Sequence, residues 1–111
     1  MFAGGGEAAL IHRFFNGLTS RREGVVTGIG DDSAVLESPA EGCLAVCCDT
    51  LVEGVHFPSD MPAEALGHRV LAVNLSDIAA VGGEPAWALL SLTMPADNSQ
   101  WLEGFANGFK L

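Results

Sequence analysis

One loop sequence holds the residues best suited to chemistry. Residues 49–57 read D-T-L-V-E-G-V-H-F and follow the apolar run C-L-A-V-C-C at 43–48. The run predicts a buried strand, which would place Asp49 at its carboxyl end and Gly54 and His56 in the following loop. Ligands of α/β proteins bind in the crevice outside such strand ends. The pattern therefore predicts a ligand site, with a loop-capping Asp49 and a structural His56 as the alternatives.

A second acidic pair follows a glycine-rich turn. The sequence G-I-G-D-D places Asp31 and Asp32 directly after Gly30, whose conformational freedom would allow a close approach to a ligand. The turn is not a Walker A loop, because no Gly-Lys-Ser/Thr follows, and Ser33 stands where a dinucleotide fingerprint needs its third glycine. Two readings stay open: carboxylates beside a metal-bound phosphate, or two solvated turn aspartates.

Asp77 lies in an apolar helical pattern. At about 100° per residue, it falls on the same stripe as Leu66, Val70 and Val73, whereas Arg69 falls with the small and polar residues. An unpaired carboxylate in a core-facing stripe would cost several kcal/mol, as an order of magnitude. We therefore expect Asp77 to bind a metal ion or to accept hydrogen bonds from backbone N–H groups.

The acidic positions are expected to converge on one site for a divalent cation and a phosphate. Carboxylates alone would repel a polyphosphate, so Mg²⁺ would have to bridge the two. No nucleophile pair is evident, because Cys47 and Cys48 have no obvious base nearby in the sequence. Phosphoryl transfer needs positioning and charge neutralisation more than covalent chemistry. We thus expect no covalent catalytic residue.

Composition excludes several classes of function. The chain of 111 residues has a net charge of −9, from five Lys and Arg against fourteen Asp and Glu. This balance argues against nucleic-acid binding and against an anionic membrane surface, both of which depend on clustered basic residues. No apolar run approaches the roughly 18 residues of a membrane span. Three clustered cysteines favour a reducing compartment over a disulfide framework, so we expect a cytoplasmic protein.

The periodicity predicts an α/β (α+β) fold, with a mixed sheet and helices packed on one of its faces. The expected order is α-β-β-α-β-α. We expect residues 1–111 to form an amino-terminal ATP- and Mg²⁺-binding and dimerisation domain, truncated before its last strands, with a carboxyl-terminal domain absent. The predicted elements are a helix at 7–16, strands at 34–36 and 44–46 around a hairpin loop at 38–42, a long helix capped by Ser59 or Asp60 and closed by Gly82-Gly83, a strand at 87–94 and a helix capped by Ser99.

Four segments of the chain form longer motifs. They are G-I-G-D-D-S-A-V-L at 28–36, D-T-L-V-E-G-V-H-F at 49–57, A-V-N-L-S-D-I-A-A-V-G-G-E-P at 72–85 and W-A-L-L-S-L at 87–92. Taken together, these segments resemble thiamine-monophosphate kinase, whose wider superfamily includes aminoimidazole ribonucleotide synthetase and selenophosphate synthetase. The resemblance covers roughly residues 6–105, and several long motifs in the right order make it specific.

The resemblance implies transfer of the γ-phosphoryl group of ATP to thiamine monophosphate, giving thiamine diphosphate by direct Mg²⁺-assisted transfer. It further implies a homodimer formed through the amino-terminal sheet, with ATP beside the interface. Carried over by motif, Asp32, Asp49 and Asp77 would be metal ligands and His56 would contact the thiamine phosphate. Asp31 and Gly30 would lie next to these ligands without binding the metal directly.

Cys47 and Cys48 depart from the family, which usually carries hydroxyl residues there. A thiol is a poor ligand for magnesium, so either their backbone carbonyls provide the contact or one metal position is weakened. The piece alone is expected to be inactive. Two alternatives are another ATP-dependent synthetase of the same superfamily and a non-catalytic dimerisation module.

Overall fold

The computed structural model describes residues 6–18, 24–94 and 98–110 of the chain. The chain divides into two compact units, Met1–Leu44 and Ala45–Leu111. The first unit contains a short helix and a small hairpin, and the second contains two longer helices that pack on each other.

The first unit begins with an amphipathic helix. Helix α1 spans Gly6–Phe14, and a short 3₁₀ helix at Asn16–Leu18 follows it. The backbone N–H of Phe15 still bonds to the Ile11 oxygen at 2.9 Å, and Phe15 is buried. The predicted helix at 7–16 is therefore confirmed in position, with its last turn tightened into the 3₁₀ segment.

A small hairpin completes the first unit. Strand β1 (Val25–Thr27) pairs antiparallel with β2 (Val35–Leu36), and Val25 lies opposite Leu36. The connecting turn holds Gly30 at φ +112°, a conformation that side-chain-bearing residues rarely adopt. The predicted hairpin at 38–42 is wrong, because β2 pairs with the preceding segment and not with the following one.

Two predicted strands do not form ladders among the described residues. The segments at 44–46 and 87–94 have no strand assignment, and Val46 and Leu89 are 88% and 89% exposed. A strand is defined by hydrogen bonds to a neighbouring strand, so an apolar alternating sequence cannot form one without a partner. The predicted order α-β-β-α-β-α and the mixed sheet are therefore not seen; the sheet that the described residues form has two strands.

Helix α2 (Ala63–Ala80) is the longest element of the second unit. Its cap residue is Pro62, which has no side-chain cap bond, so the predicted caps Ser59 and Asp60 are wrong. Those two residues instead lie in the turn that precedes the helix. The carboxyl end is a Schellman motif: N–H groups of Gly82 and Gly83 bond to the oxygens of Ala79 and Ile78 at 3.0 and 2.9 Å. The predicted glycine stop is confirmed.

Helix α3 (Ser99–Lys110) carries the core of this unit. Its first turn is capped by Asn98, whose Oδ1 accepts from the Trp101 N–H at 3.0 Å, so the cap lies one residue before the predicted Ser99. Leu102 and Phe105 are almost fully buried. The Phe105 ring stacks between Trp101 and Phe109, with ring centroids at 5.1 and 6.2 Å.

Helices α2 and α3 pack backbone against backbone. A Cβ placed on Gly67 would lie 2.9 Å from the Phe109 nitrogen and would also overlap the Phe105 carbonyl. On α3, a Cβ on Gly108 would overlap the Glu64 carbonyl in the same way. Both glycines are buried. Only glycine allows this separation, so these two positions set the distance between the helices.

Candidate functional site

The loop after Asp49 is a compact turn held by its own backbone. N–H groups of Val55 and His56 bond to the Val52 oxygen at 3.1 and 2.8 Å, and Gly54 N–H bonds to the Phe57 oxygen at 2.8 Å. Gly54 has φ +79°, in the left-handed region that favours glycine. The E-G-V-H-F sequence therefore folds locally, because its glycine provides the one conformation that the turn requires.

His56 closes this turn with its side chain. Its Nδ1 accepts a hydrogen bond from the Val52 backbone N–H at 2.8 Å. A ring nitrogen that accepts has no proton, so in the neutral imidazole the proton is on Nε2. His56 thus fixes the turn through one nitrogen and has an N–H donor available on the other.

A shallow pocket of about 270 Å³ is lined by residues from both ends of the motif at 49–57. It brings a carboxylate, a hydroxyl, an imidazole and a guanidinium together in a partly apolar depression. Its lining residues are Asp49, Thr50, Leu51, His56, Arg69 and Val73. The structure therefore places Asp49 and His56 in one cavity, as the motif predicts, while their chemical roles stay predictions.

The segment that leads into this pocket lies along helix α2. The Cys47 thiol donates to the Asn74 main-chain oxygen, with a sulfur–oxygen distance of 3.5 Å. The Asn74 side chain in turn donates to the Val70 oxygen at 2.8 Å, which fixes its orientation. These contacts hold residues 47–49 beside the carboxyl-terminal half of α2.

Two carboxylates act on the Cys47 thiol. Its pKa is raised, first because neighbouring protein atoms shield it from water and then because of the negative charges of Asp77 and Asp49. Cys48 makes a smaller contribution in the same direction. Asp49 and Asp77 therefore lie near one point, although 28 residues separate them in the sequence.

Asp77 is exposed, contrary to the predicted core-facing stripe. The buried residues of helix α2, Leu66 and Gly67, both lie in its amino-terminal half, where Gly67 approaches the backbone of α3. At the level of Asp77 no described helix covers the stripe, so the expected cost of burying a carboxylate does not arise. The expected burial of Asp77 is therefore wrong and gives no support to metal binding. The support that remains is the nearby carboxylate of Asp49.

The run at 43–48 is likewise exposed and not a buried strand. Cys43, Cys47 and Cys48 are free thiols, as the odd cysteine count predicts. The apolar residues of the run favour burial, but burial requires covering elements that the described residues do not supply.

The predicted acidic pair of the first unit forms a local contact. The backbone N–H of Asp32 bonds to Oδ1 of Asp31 at 2.7 Å, and both side chains are exposed just after Gly30. Asp31 thus stabilises the turn and leaves the Asp32 carboxylate free of that task. The convergence of this pair with Asp49 and Asp77 stays a prediction.

The carboxylates fit a magnesium site in part. Within the described ranges, no three His, Cys, Asp or Glu side chains are grouped as a complete metal cage would require. Magnesium is usually held by one or two carboxylates, with water and substrate phosphates at the other positions. Asp49 and Asp77 match that smaller donor set, and the negative charges of both carboxylates raise the pKa of the Cys47 thiol.

Arg69 and Asn74 are the residues of this region that sequence reasoning missed. Helical periodicity puts Arg69 in the polar arc of α2, yet it lines the pocket together with Val73. Residues four apart on a helix differ by only about 40° in direction, so Arg69 lies beside Val73 and on the same side of α2 as the apolar stripe. That i, i+4 spacing was the available signal.

Comparison with known proteins identifies the family. Residues 30–111 match the family model described as AIR synthase related protein, N-terminal domain. The chain belongs to the AIR synthase related protein family. The chain is also similar to curated proteins named thiamine-monophosphate kinase. It is 49% identical over 102 residues to the protein of Salmonella typhimurium, 48% over 102 residues to that of Escherichia coli K12, and 45% over 103 residues to that of Buchnera aphidicola from Acyrthosiphon pisum.

These matches cover 92–93% of the chain but only 31–32% of each relative. The chain therefore spans about a third of the length of the curated relatives it matches. None of the helices in the described part of the chain has the length and apolar character of a membrane span.

Proposed function

We propose that the protein containing this chain transfers the γ-phosphoryl group of ATP to thiamine monophosphate, forming thiamine diphosphate and ADP. The observation that carries the proposal is the pocket that joins Asp49 and His56, the two ends of the D-T-L-V-E-G-V-H-F motif. Relatives named thiamine-monophosphate kinase, up to 49% identical over almost all of this chain, support the same activity.

The proposed reaction is a direct transfer between two phosphates. An oxygen of the acceptor phosphate attacks the γ-phosphorus, and the bond from that phosphorus to the bridging oxygen of ADP breaks. Both reactants are anionic, so positioning and charge neutralisation are the main requirements. Asp49 provides a carboxylate for the neutralising magnesium ion at one wall of the pocket, and the Nε2–H of His56 provides a donor for a phosphate oxygen of the acceptor.

Magnesium would neutralise the phosphate charges when bound. We propose that Asp32, Asp49 and Asp77 hold it, with Asp31 and Gly30 shaping the turn that presents Asp32. Cys47 and Cys48 would contribute through backbone carbonyls, because a thiol is a soft ligand and the raised pKa of Cys47 keeps its sulfur protonated.

We further propose a cytoplasmic homodimer. The exposed apolar residues Val46 and Leu89 lie in segments that have strand-like sequences but no ladder partner in the described ranges. Such segments favour pairing with another chain. The three free thiols suit a reducing compartment. Residues 1–111 alone are expected to be inactive, because they span about a third of the relatives' length.

The test is a magnesium-dependent assay of the full-length protein with ATP and alternative acceptors. Formation of thiamine diphosphate from thiamine monophosphate is expected, with no product from thiamine. A protein that hydrolyses ATP only with a different acceptor would be a synthetase of the same family. A protein that binds neither substrate and only dimerises would be a scaffold, and either result would end the proposal.

A further inference from the structure

Arg69 is a cation in acidic surroundings. Residues 45–111 contain only two Lys or Arg residues, Arg69 and Lys110. Among the residues that the structure describes, Arg69 makes no hydrogen bond or ion pair, although Asp49 lines the same pocket. Its guanidinium therefore has all its N–H donors available to a ligand.

A second donor reaches the same pocket. His56 uses Nδ1 to accept from Val52, so its neutral form presents Nε2–H. The hydroxyl of Thr50, a third possible donor, also lines the cavity. Hydrogen-bond donors around a guanidinium are the arrangement that recognises phosphate oxygens, because the planar fork matches two of them at once.

We infer that Arg69 and His56 form an anion subsite that takes the phosphate group of the acceptor, and that Arg69 determines the preference for a phosphorylated acceptor. The acceptor's identity rests on the proposed function. Asp49 and Asp77 give the neighbouring surface a negative potential, which would repel a phosphate in the absence of a counter-charge. Arg69 provides that counter-charge within the protein itself.

The position of Arg69 on α2 predicts the orientation of a ligand in the subsite. Arg69 and Asp77 lie eight residues apart on α2, which is about 12 Å along the helix axis and about 80° around it. Arg69 lies at the pocket and Asp77 lies near Cys47. A ligand with an anionic group therefore binds with that group toward Arg69.

The test compares two variants of the full-length protein that each lose one positive charge. Arg69→Gln removes the guanidinium from the pocket, and Lys110→Gln removes an exposed charge from the end of α3. Binding of thiamine monophosphate and of thiamine is measured for each by titration calorimetry with magnesium present. Arg69→Gln is expected to weaken thiamine monophosphate about ten- to a hundredfold, as for the loss of a charged hydrogen-bond pair, and thiamine less than twofold.

Lys110→Gln is expected to bind both compounds like the wild type. Arg69→Lys, which keeps the charge but not the fork, is expected to give an intermediate affinity for the phosphorylated compound. Equal weakening of both compounds in Arg69→Gln would show a structural role and overturn the inference. An Arg69→Gln protein that binds like Lys110→Gln would do the same.

The proposed function can fail without failure of the anion subsite. The function fails if the wild-type protein neither binds nor phosphorylates thiamine monophosphate. The subsite is then tested by measuring the binding of inorganic pyrophosphate alone. Binding that Lys110→Gln retains and Arg69→Gln loses would support the subsite, and equal binding by both variants would overturn it.

Discussion

The thiol of Cys47 donates a hydrogen bond to the main-chain oxygen of Asn74, and its sulfur also lies 3.6 Å from Oδ1 of that residue. This pair joins an extended segment to helix α2 across 27 positions of sequence. Because of it, Asp49 and Asp77 act on one thiol. The contact therefore positions two carboxylates that sequence distance would not associate.

The raised pKa of Cys47 predicts a measurable change on removal of a nearby charge. Asp77→Asn should lower the thiol pKa toward its ordinary value, because a negative charge disfavours a thiolate. The measurement is the pH dependence of Cys47 alkylation in metal-free protein, followed by mass spectrometry. Asp60→Asn, which removes a carboxylate that does not contribute to this shift, is the control; equal profiles for both variants would contradict the geometry.

The same shift has a consequence for stability at alkaline pH. A thiol whose pKa is higher in the folded than in the unfolded state binds its proton longer when folded. The contribution of this thiol to folding stability is fully present below the ordinary pKa of 9.0, and it is lost as the pH rises through the folded-state pKa. Melting temperatures between pH 8 and 11, as an approximate range, should fall less steeply for Cys47→Ser than for the wild type.

Asp49→Asn and Asp77→Asn should each lower the proposed phosphoryl-transfer turnover of the full-length protein at least about a hundredfold, because each removes a proposed magnesium ligand. Excess magnesium should restore part of the activity in both. Full activity in either variant would remove that residue from the metal site. Asp60→Asn is again the matched control and should retain wild-type turnover.

His56 is proposed to have two functions, holding the turn through Nδ1 and binding the acceptor through Nε2, and two substitutions can distinguish them. His56→Asn places an amide oxygen near the position of Nδ1 and keeps an acceptor for Val52, whereas His56→Gln places its amide nearer the position of Nε2. Loop order, measured by hydrogen exchange of the Val52 amide, should be retained better in His56→Asn. Affinity for the acceptor should be retained better in His56→Gln, and identical behaviour of the two would contradict the division.

Cys48→Thr should leave activity unchanged or raise it, because a hydroxyl is a harder ligand than a thiol and the backbone carbonyl is retained. Steady-state turnover at several magnesium concentrations is the measurement. A large loss would assign a role to the thiol itself.

Gly67→Ala should destabilise the protein by about 1–3 kcal/mol, since the new methyl group would overlap the backbone of α3. Asn107→Ala, an exposed change on α3, should stay within about 0.5 kcal/mol of the wild type. Denaturant unfolding of the full-length protein measures both. A neutral Gly67→Ala would mean that the helices can separate at little cost.

The sequence predicted the helices well because their hydrogen bonds are local. The positions of α1, α2 and α3 followed from periodicity, although the caps at Pro62 and Asn98 did not. The strands at 44–46 and 87–94 could not be predicted reliably, because a ladder depends on a partner far away in sequence.

The site was predictable to a similar degree. The motif at 49–57 placed Asp49 and His56 in one pocket, because a short turn determines that distance locally. The exposure of Asp77 was not predictable, since periodicity identifies an apolar stripe but not which part of it another helix will cover. Arg69 was missed for a different reason, because its charge assigned it to the polar arc although its spacing from Val73 places it beside the apolar stripe.

The glycine contact between α2 and α3 links the pocket to residues that do not touch it. Two helices separated by side chains can adjust in small steps as those side chains are exchanged during evolution. Helices in direct main-chain contact have no such adjustable layer, so the axis that presents Arg69 and Asp77 is fixed by Gly67 and Gly108. Inherited variation should therefore be tolerated on the outer side of α3 and rejected at these two positions, even though neither of them lines the pocket.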